Sequence, residues 1–275
     1  MKNEFMTASL DPGKVSDLLR ECARKHVLPW RGKLLAEHKT FKEGNPHNEV
    51  TVADRESEEF LTRTLTALLP GSVVVGEEAT ENDPRIPELL KDPAKTVWVI
   101  DPIDGTSNFI SGSDNFCIMV ALVEGGEVRM SWIYDAVNDS MAFAEKGMGA
   151  FLDGKRLQVD SGARLDTGRG YAGYKIMSNV SNITTKTLRC AGHEYLHVAR
   201  GDAAFALYGY IKPWDHFAGA FMVEEAGGYV RKWDGTPYRP GDTKGGVIAA
   251  ASARLWQEIR DLIPHQFLQR HGIEP

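Results

Sequence analysis

The sequence predicts an α/β protein, a layered sandwich of two lobes. Three observations point there. Capped amphipathic helices occur in both halves. Three apolar runs, at 116–123, 128–134 and 141–144, read as antiparallel strands, the first two joined by a turn at Gly125-Gly126. The second half then alternates strand and helix patterns.

Asp11-Pro12 sets a capping residue before proline at the first helical position. Val15, Leu18, Leu19, Cys22, Ala23 and His26 follow at helical spacing. Pro29 ends or kinks that helix. Residues 38–49 read as a polar loop. A second helix begins near Asp54, carries Phe60, Leu61, Leu65, Leu68 and Leu69, and stops at Pro70-Gly71. Residues 73–75 form a short strand running into Gly76-Glu77-Glu78. Residues 81–95 read as a surface loop and 96–100 as a strand. The turn-rich stretch 147–156 marks a soft boundary between an N-terminal lobe, 1–148, and a C-terminal lobe, 149–275. In the second lobe 203–208 is a strand, and 215–226 is a helix ended by Gly227-Gly228. Residues 247–251 form a strand and 252–262 an amphipathic helix. His193 and His197 share one face of a predicted helix, and core packing is a better reading of them than zinc.

With 42% apolar and 25% charged residues, the chain is composed like a soluble globular protein. No apolar run approaches a membrane span, and residues 1–10 lack a leader pattern, so a cytoplasmic protein is expected. The net charge of −6, without a Lys/Arg cluster, argues against a nucleic-acid partner. Cys22, Cys117 and Cys190 are odd in number and far apart in the chain. That spacing suggests neither a disulfide framework nor a zinc site.

The chemistry concentrates in Trp98-Val99-Ile100-Asp101-Pro102-Ile103-Asp104-Gly105-Thr106-Ser107-Asn108-Phe109. An apolar strand ends in two aspartates separated by Pro-Ile, and the Ile103 carbonyl adds an oxygen, which makes a cage for a hard divalent cation. Gly105 and Thr106 offer amides and a hydroxyl to a phosphate. A capped turn would use the same Asp and Gly, but Trp98 and Asn108-Phe109 favour the functional reading. Glu77 and Glu78 stand at a strand end, where open α/β sheets bind ligands. Asp215, in Trp214-Asp215-His216-Phe217-Ala218-Gly219, either caps a helix or adds a third carboxylate, with Ala218 and Gly219 permitting close helix–strand packing. His216 is not assigned to the site.

Together these segments resemble the inositol monophosphatase family of magnesium-dependent, lithium-sensitive phosphatases. The likeness runs in the family's order through Val50-Thr51-Val52-Ala53-Asp54, Gly76-Glu77-Glu78, the 98–109 motif, and Trp214 to Gly219 with a trailing Glu225-Ala226-Gly227-Gly228. It implies alternating αβαβα layers, as in fructose-1,6-bisphosphatase, and two to three Mg2+ ions. Glu77, Asp101 and the Ile103 carbonyl would hold the first ion; Asp101, Asp104 and Asp215 would hold the second. A third, weaker ion would also lean on Glu77. Thr106, hydrogen-bonded to Asp54, would orient the attacking water. Asp104 would contact substrate, and the Gly105 and Thr106 amides would hold the phosphate. A homodimer is also implied.

On the alcohol side the chain departs from the family. Tyr208 stands where a glutamate often holds inositol hydroxyls, and Arg189-Cys190-Ala191-Gly192 replaces a Gly-Ser/Thr-Ala-Ala stretch. Arg189, Cys190, Ala191 and Tyr208 are therefore the expected substrate-side residues. The family's loop lysine has no in-register match, Lys42 being nearest. The expected activity is a phosphomonoesterase acting on a small phosphorylated alcohol by direct attack of water. Histidinol phosphate, fructose 1,6-bisphosphate and nucleotide 3′-phosphates are alternative substrates. A non-catalytic binding or regulatory protein on the same fold is the alternative of a different class. A phospho-aspartate mechanism of the haloacid dehalogenase type would need D-x-D-G-T near the N-terminus, and here the spacing is longer and the position later.

Overall fold

The computed structural model describes residues 10–41, 49–166, 168–172, 184–242, 244–270 and 272–273. Lys42 lies outside them.

Asp11 accepts a hydrogen bond from the Gly13 amide at 2.9 Å and opens helix α1 (Pro12–Cys22). That helix continues as a π turn over Ala23–Val27 and a 3-10 turn over Leu28–Trp30, where Pro29 stops it. Helix α2 (Val52–Leu68) starts from a capping box in which Thr51 and Asp54 satisfy each other's backbone. The expected loop 38–49 is instead bounded by an antiparallel pair, β1 (Lys39–Phe41) and β2 (Glu49–Thr51). Likewise, 81–95 holds the end of a short helix, α3 (Glu77–Asn82), and a 3-10 turn (Ile86–Lys91). Those turns are too short to leave a periodic apolar signal.

Among the described residues, the first large sheet has the order β3-β4-β5-β6-β7-β8-β9. Its strands are β3 (Val73–Gly76), β4 (Thr96–Asp104), β5 (Cys117–Glu124), β6 (Glu127–Asp135), β7 (Ser140–Glu145), β8 (Gly149–Leu152) and β9 (Lys155–Arg156). Only β3 and β4 pair in parallel. Every residue of β4 and β5 is buried, so the stretches 97–100 and 117–123 read as continuous apolar runs rather than alternations. Trp98, Ile100, Val120 and Trp132 face α1 and α2. Val97, Val99, Met119 and Ile133 face helices from the second half.

Those helices are α5 (Ala191–Ala199) and α6 (Pro213–Glu225), following the short α4 (Thr106–Ile110). A Cβ on Gly219 would fall 2.1 Å from the Tyr195 ring. The small residue therefore serves helix–helix packing of α6 on α5, where helix–strand packing was expected. A second sheet, ordered β11-β10-β12-β14-β13, covers this layer from the other side. It contains β10 (Arg169–Ala172), β11 (Thr184–Lys186), β12 (Phe205–Tyr208), β13 (Tyr229–Lys232) and β14 (Val247–Ala250). Outside it lie α7 (Ala253–Asp261), capped by Ser252, and α8 (His265–Arg270). The chain is thus an αβαβα sandwich. The first sheet extends past residue 148, through β8 and β9, before the second begins at Arg169.

Candidate active site

Three element ends converge beside the middle layer. β4 and β5 lose register between Asp101 and Asp104, where Pro102-Ile103 is accommodated as an irregularity. Within it the Ile103 amide donates to Asp101 Oδ1 at 3.0 Å. The chain then turns sharply at Gly105, whose φ of 91° is left-handed. A Cβ there would fall 2.7 Å from the Asn115 carbonyl oxygen and 3.1 Å from that of Arg189. Asn108 donates to the carbonyls of Asn115 and Leu188, both at 2.7 Å, tying α4 to the 187–190 segment.

Glu77 begins α3 and Asp215 lies in the first turn of α6. Carboxylate oxygens of Glu77, Asp101 and Asp215 all lie within 4.8 Å of one another. Burial pushes the Asp101 pKa well above the usual carboxylate range, and the charges of Glu77, Asp104, Asp215 and Asp54 push it further. Lys212 brings a positive charge to the edge of the cluster, its Nζ 3.6 Å from Glu77 Oε1. Converging hard oxygen donors with mutual repulsion fit a divalent cation that takes oxygen ligands.

Asp104 is turned differently. Its Oδ2 accepts from the Gly192 amide at 2.6 Å and meets Cys190 Sγ at 3.2 Å and Cys117 Sγ at 3.6 Å. Burial raises its pKa, while the Gly192 and Cys190 hydrogen bonds work against the rise. Cys117 and Cys190, remote in sequence, lie with sulfurs 3.7 Å apart. Sequence spacing gave no sign of this, because strand β5 and the cap of α5 meet only in the folded chain.

Thr106 begins α4, its hydroxyl 3.0 Å from the Ile103 carbonyl and 3.4 Å from Asp54 Oδ1. Asp54 Oδ2 accepts from both the Thr51 amide, at 2.8 Å, and the Thr51 hydroxyl, at 2.6 Å. One turn along α2, Glu58 accepts from the Glu78 and Ala79 amides at 2.8 and 2.7 Å, which anchors α3 and hence Glu77. Sequence reasoning missed Glu58, although a second acid four residues after Asp54 on one helix face was a usable signal.

On the expected alcohol side, Arg189 is exposed, in left-handed backbone at φ 54°. Cys190 is buried as the cap of α5, and Ala191 begins that helix. Tyr208 donates to Glu194 Oε2 at 3.0 Å, while the Thr187 hydroxyl and Leu188 amide donate to Oε1 at 2.8 and 2.6 Å. Glu194 was overlooked. His193-Glu194-Tyr195-Leu196-His197 has the H-E-x-x-H spelling of zinc peptidases, yet the fold does not use it so. His197 Nδ1 meets the Tyr171 hydroxyl, while His193 lies beside Asp135. His216 is buried; its Nε2 donates to the Tyr210 carbonyl and its Nδ1 accepts from Tyr195, both at 3.1 Å.

Comparison with known proteins adds to this geometry. Residues 20–266 match the model of the inositol monophosphatase family. A fructose-1,6-bisphosphatase/inositol-1-monophosphatase of Thermotoga maritima is 31% identical over 79% of this chain and 83% of its own. A Nus factor SuhB of Pseudomonas aeruginosa is 33% identical over 72% of this chain and 77% of its own. The solved Thermotoga maritima IMPase superposes with a TM-score of 0.81 at 25% identity, covering 95% of this chain and 99% of that one.

Proposed function

The chain belongs to the inositol monophosphatase family, and from that premise we propose that it is a Mg2+-dependent phosphomonoesterase acting on a small phosphorylated alcohol by direct attack of water. The observation that carries this reading is the convergence of Glu77, Asp101 and Asp215 beside the Gly105-Thr106 turn. Glu77, Asp101, Asp104, Asp215 and the Ile103 carbonyl are the groups that would hold the ions. Mg2+ supplies charge neutralisation of phosphate oxygens and a lowered pKa for water.

The protein's own groups supply position. Gly105 permits the backbone of the phosphate-binding turn to fold back under Asn115 and Arg189, where a side chain would collide. Asp54, fixed by its two bonds from Thr51, accepts from the Thr106 hydroxyl and so aims that hydroxyl's lone pairs at the attacking water. Glu58 holds α3 so that Glu77 faces Asp101. Arg189, Cys190, Ala191 and Tyr208 belong to the alcohol side, and the Tyr208–Glu194 pair supports an alcohol other than inositol. A small phosphorylated substrate, a cytoplasmic location and a homodimer complete the proposal. Among the described residues no helix is long and apolar enough to cross a membrane.

The relatives named as Nus factors support a second reading, a binding role on this fold. Phosphate release from a panel of monoesters at saturating Mg2+ separates the two. The phosphatase reading expects turnover on at least one monoester, abolished in Asp101→Asn. No release from any substrate would favour the binding role.

A further inference from the structure

We propose that Cys117, Cys190 and His193 form a second metal site, for a thiophilic divalent ion of the zinc class, next to Asp104. A ring nitrogen of His193 and the two cysteine sulfurs lie within 4.8 Å of one another, and both cysteines are buried. The sulfurs are 3.7 Å apart. Two thiolates on one tetrahedral zinc stand about 3.8 Å apart, given Zn–S bonds of about 2.3 Å. Asp104 Oδ2 stands beside the pair, 3.2 and 3.6 Å from the sulfurs.

A second observation is independent of this spacing. His193 Nε2 is buried and makes no hydrogen bond, and Asp135 Oδ2 stands 3.6 Å away. Metal-bound histidines commonly have such a carboxylate beside the ring. The backbone also makes room: a Cβ on Gly192 would fall 2.4 Å from Cys117 Sγ and 3.0 Å from Met119 Sδ. Glycine at this position lets α5 bring Cys190 and His193 down onto Cys117. Soft sulfur ligands select against Mg2+, whose preferred ligands are oxygens. The two neighbouring sites therefore sort ions by chemistry. Each thiol releases its proton to solvent as the ion enters, so two protons leave per ion. Because Asp104 Oδ2 touches both sulfurs, an ion on them constrains Asp104.

The test uses the full-length chain under reducing conditions with saturating Mg2+ present and Co2+ as the probe. The expected result is a thiolate-to-cobalt charge-transfer band that saturates at one Co2+ per chain. Zn2+ should abolish the band, and further Mg2+ should leave it in place. Cys117→Ser should lose most of it, and His193→Asn should weaken Co2+ binding at least about tenfold. Cys22→Ala, altered in the other core cluster, should keep it. Thermal melting of each variant confirms that it is folded. Co2+ binding without a thiolate band, displacement of the band by Mg2+, or a wild-type band in both Cys117→Ser and His193→Asn would each overturn the proposal. These readouts are spectroscopic, so they stand apart from whether any phosphate ester is hydrolysed.

Discussion

Tyr208 donates its hydroxyl to Glu194 Oε2 across 3.0 Å, joining the end of β12 to the middle of α5. Burial pushes the Glu194 pKa up, and three donors, from Thr187, Leu188 and Tyr208, push it back down. Position 208 is thus committed to a carboxylate already present. Tyr208→Phe should cost about 2 kcal/mol in urea unfolding, the range for a hydrogen bond to a charged acceptor. Tyr208→Glu should cost more, because it sets two carboxylates together in a dry setting. A Tyr208→Glu protein as stable as wild type would refute this account of the pair.

Asp101→Asn should have opposite effects on activity and on metal-free stability. Turnover in Mg2+ should fall by more than about a hundredfold, beyond the loss typical of outer-shell partners. In EDTA the same variant should melt higher than wild type, since it removes a buried charge opposed by Glu77, Asp104, Asp215 and Asp54. Added Mg2+ should raise its melting temperature less than that of wild type. Scanning calorimetry in EDTA and in Mg2+ checks both; a lower melting temperature in EDTA would contradict the repulsion argument.

Gly105→Ala should destabilise the protein by more than about 2 kcal/mol. A non-glycine residue in left-handed backbone costs about 1–3 kcal/mol, and here the new methyl also meets the Asn115 carbonyl. Chemical denaturation measures the loss, and phosphate release should fall with it at temperatures where the variant remains folded.

Stability should depend on pH through His216. Burial, foremost, pushes its pKa from 6.5 down to about 3; the Lys212 charge adds to the fall, and the Tyr210 carbonyl opposes it. The unfolded chain takes up a proton below about pH 6.5, whereas the folded chain resists it until about pH 3. Stability from neutral His216 is therefore complete above the unfolded value and declines as pH falls, by at most about 1.4 kcal/mol per pH unit. Asp101 and Asp104, shifted upward, work in the opposite sense, since their folded forms hold protons more tightly. The stability gap between wild type and His216→Gln isolates the histidine, because the carboxylates are common to both. That gap should narrow between pH 6.5 and 4.5; a constant gap would exclude the effect.

The sequence was most legible where chemistry is written in consecutive residues. Asp101 to Thr106 occupy one strand end and one turn, so their spacing, with Trp98 and Asn108-Phe109 on either side, suggested a cage beside a phosphate cradle. The helices of 12–22, 52–68 and 213–225 were readable from caps and periodicity. β1 and β2 were not, since three-residue strands carry too little alternation to register. Partnerships across the fold were hidden for a different reason. The Cys117–Cys190 contact and the hold of Glu58 on α3 are set by how elements pack, and spacing along the chain has no bearing on them. The H-E-x-x-H spelling of 193–197 shows the converse: a motif legible in the sequence whose residues the fold points in three different directions.

The three carboxylates that meet at the cage arrive from far apart: Glu77 before the first sheet is complete, Asp101 towards the end of its second strand, and Asp215 on a helix that follows both sheets' opening strands. Metal held among these three carboxylates would be a reversible staple joining residues 77 and 215. It closes a long loop whose ends are costly in entropy to bring together. Like any ligand of the native state alone, it adds stability in proportion to the logarithm of its free concentration. On the proposed function, the rigidity of this protein would follow the free concentration of its divalent cation, and the first half of the chain would lose Asp215's share of that bond if it stood alone.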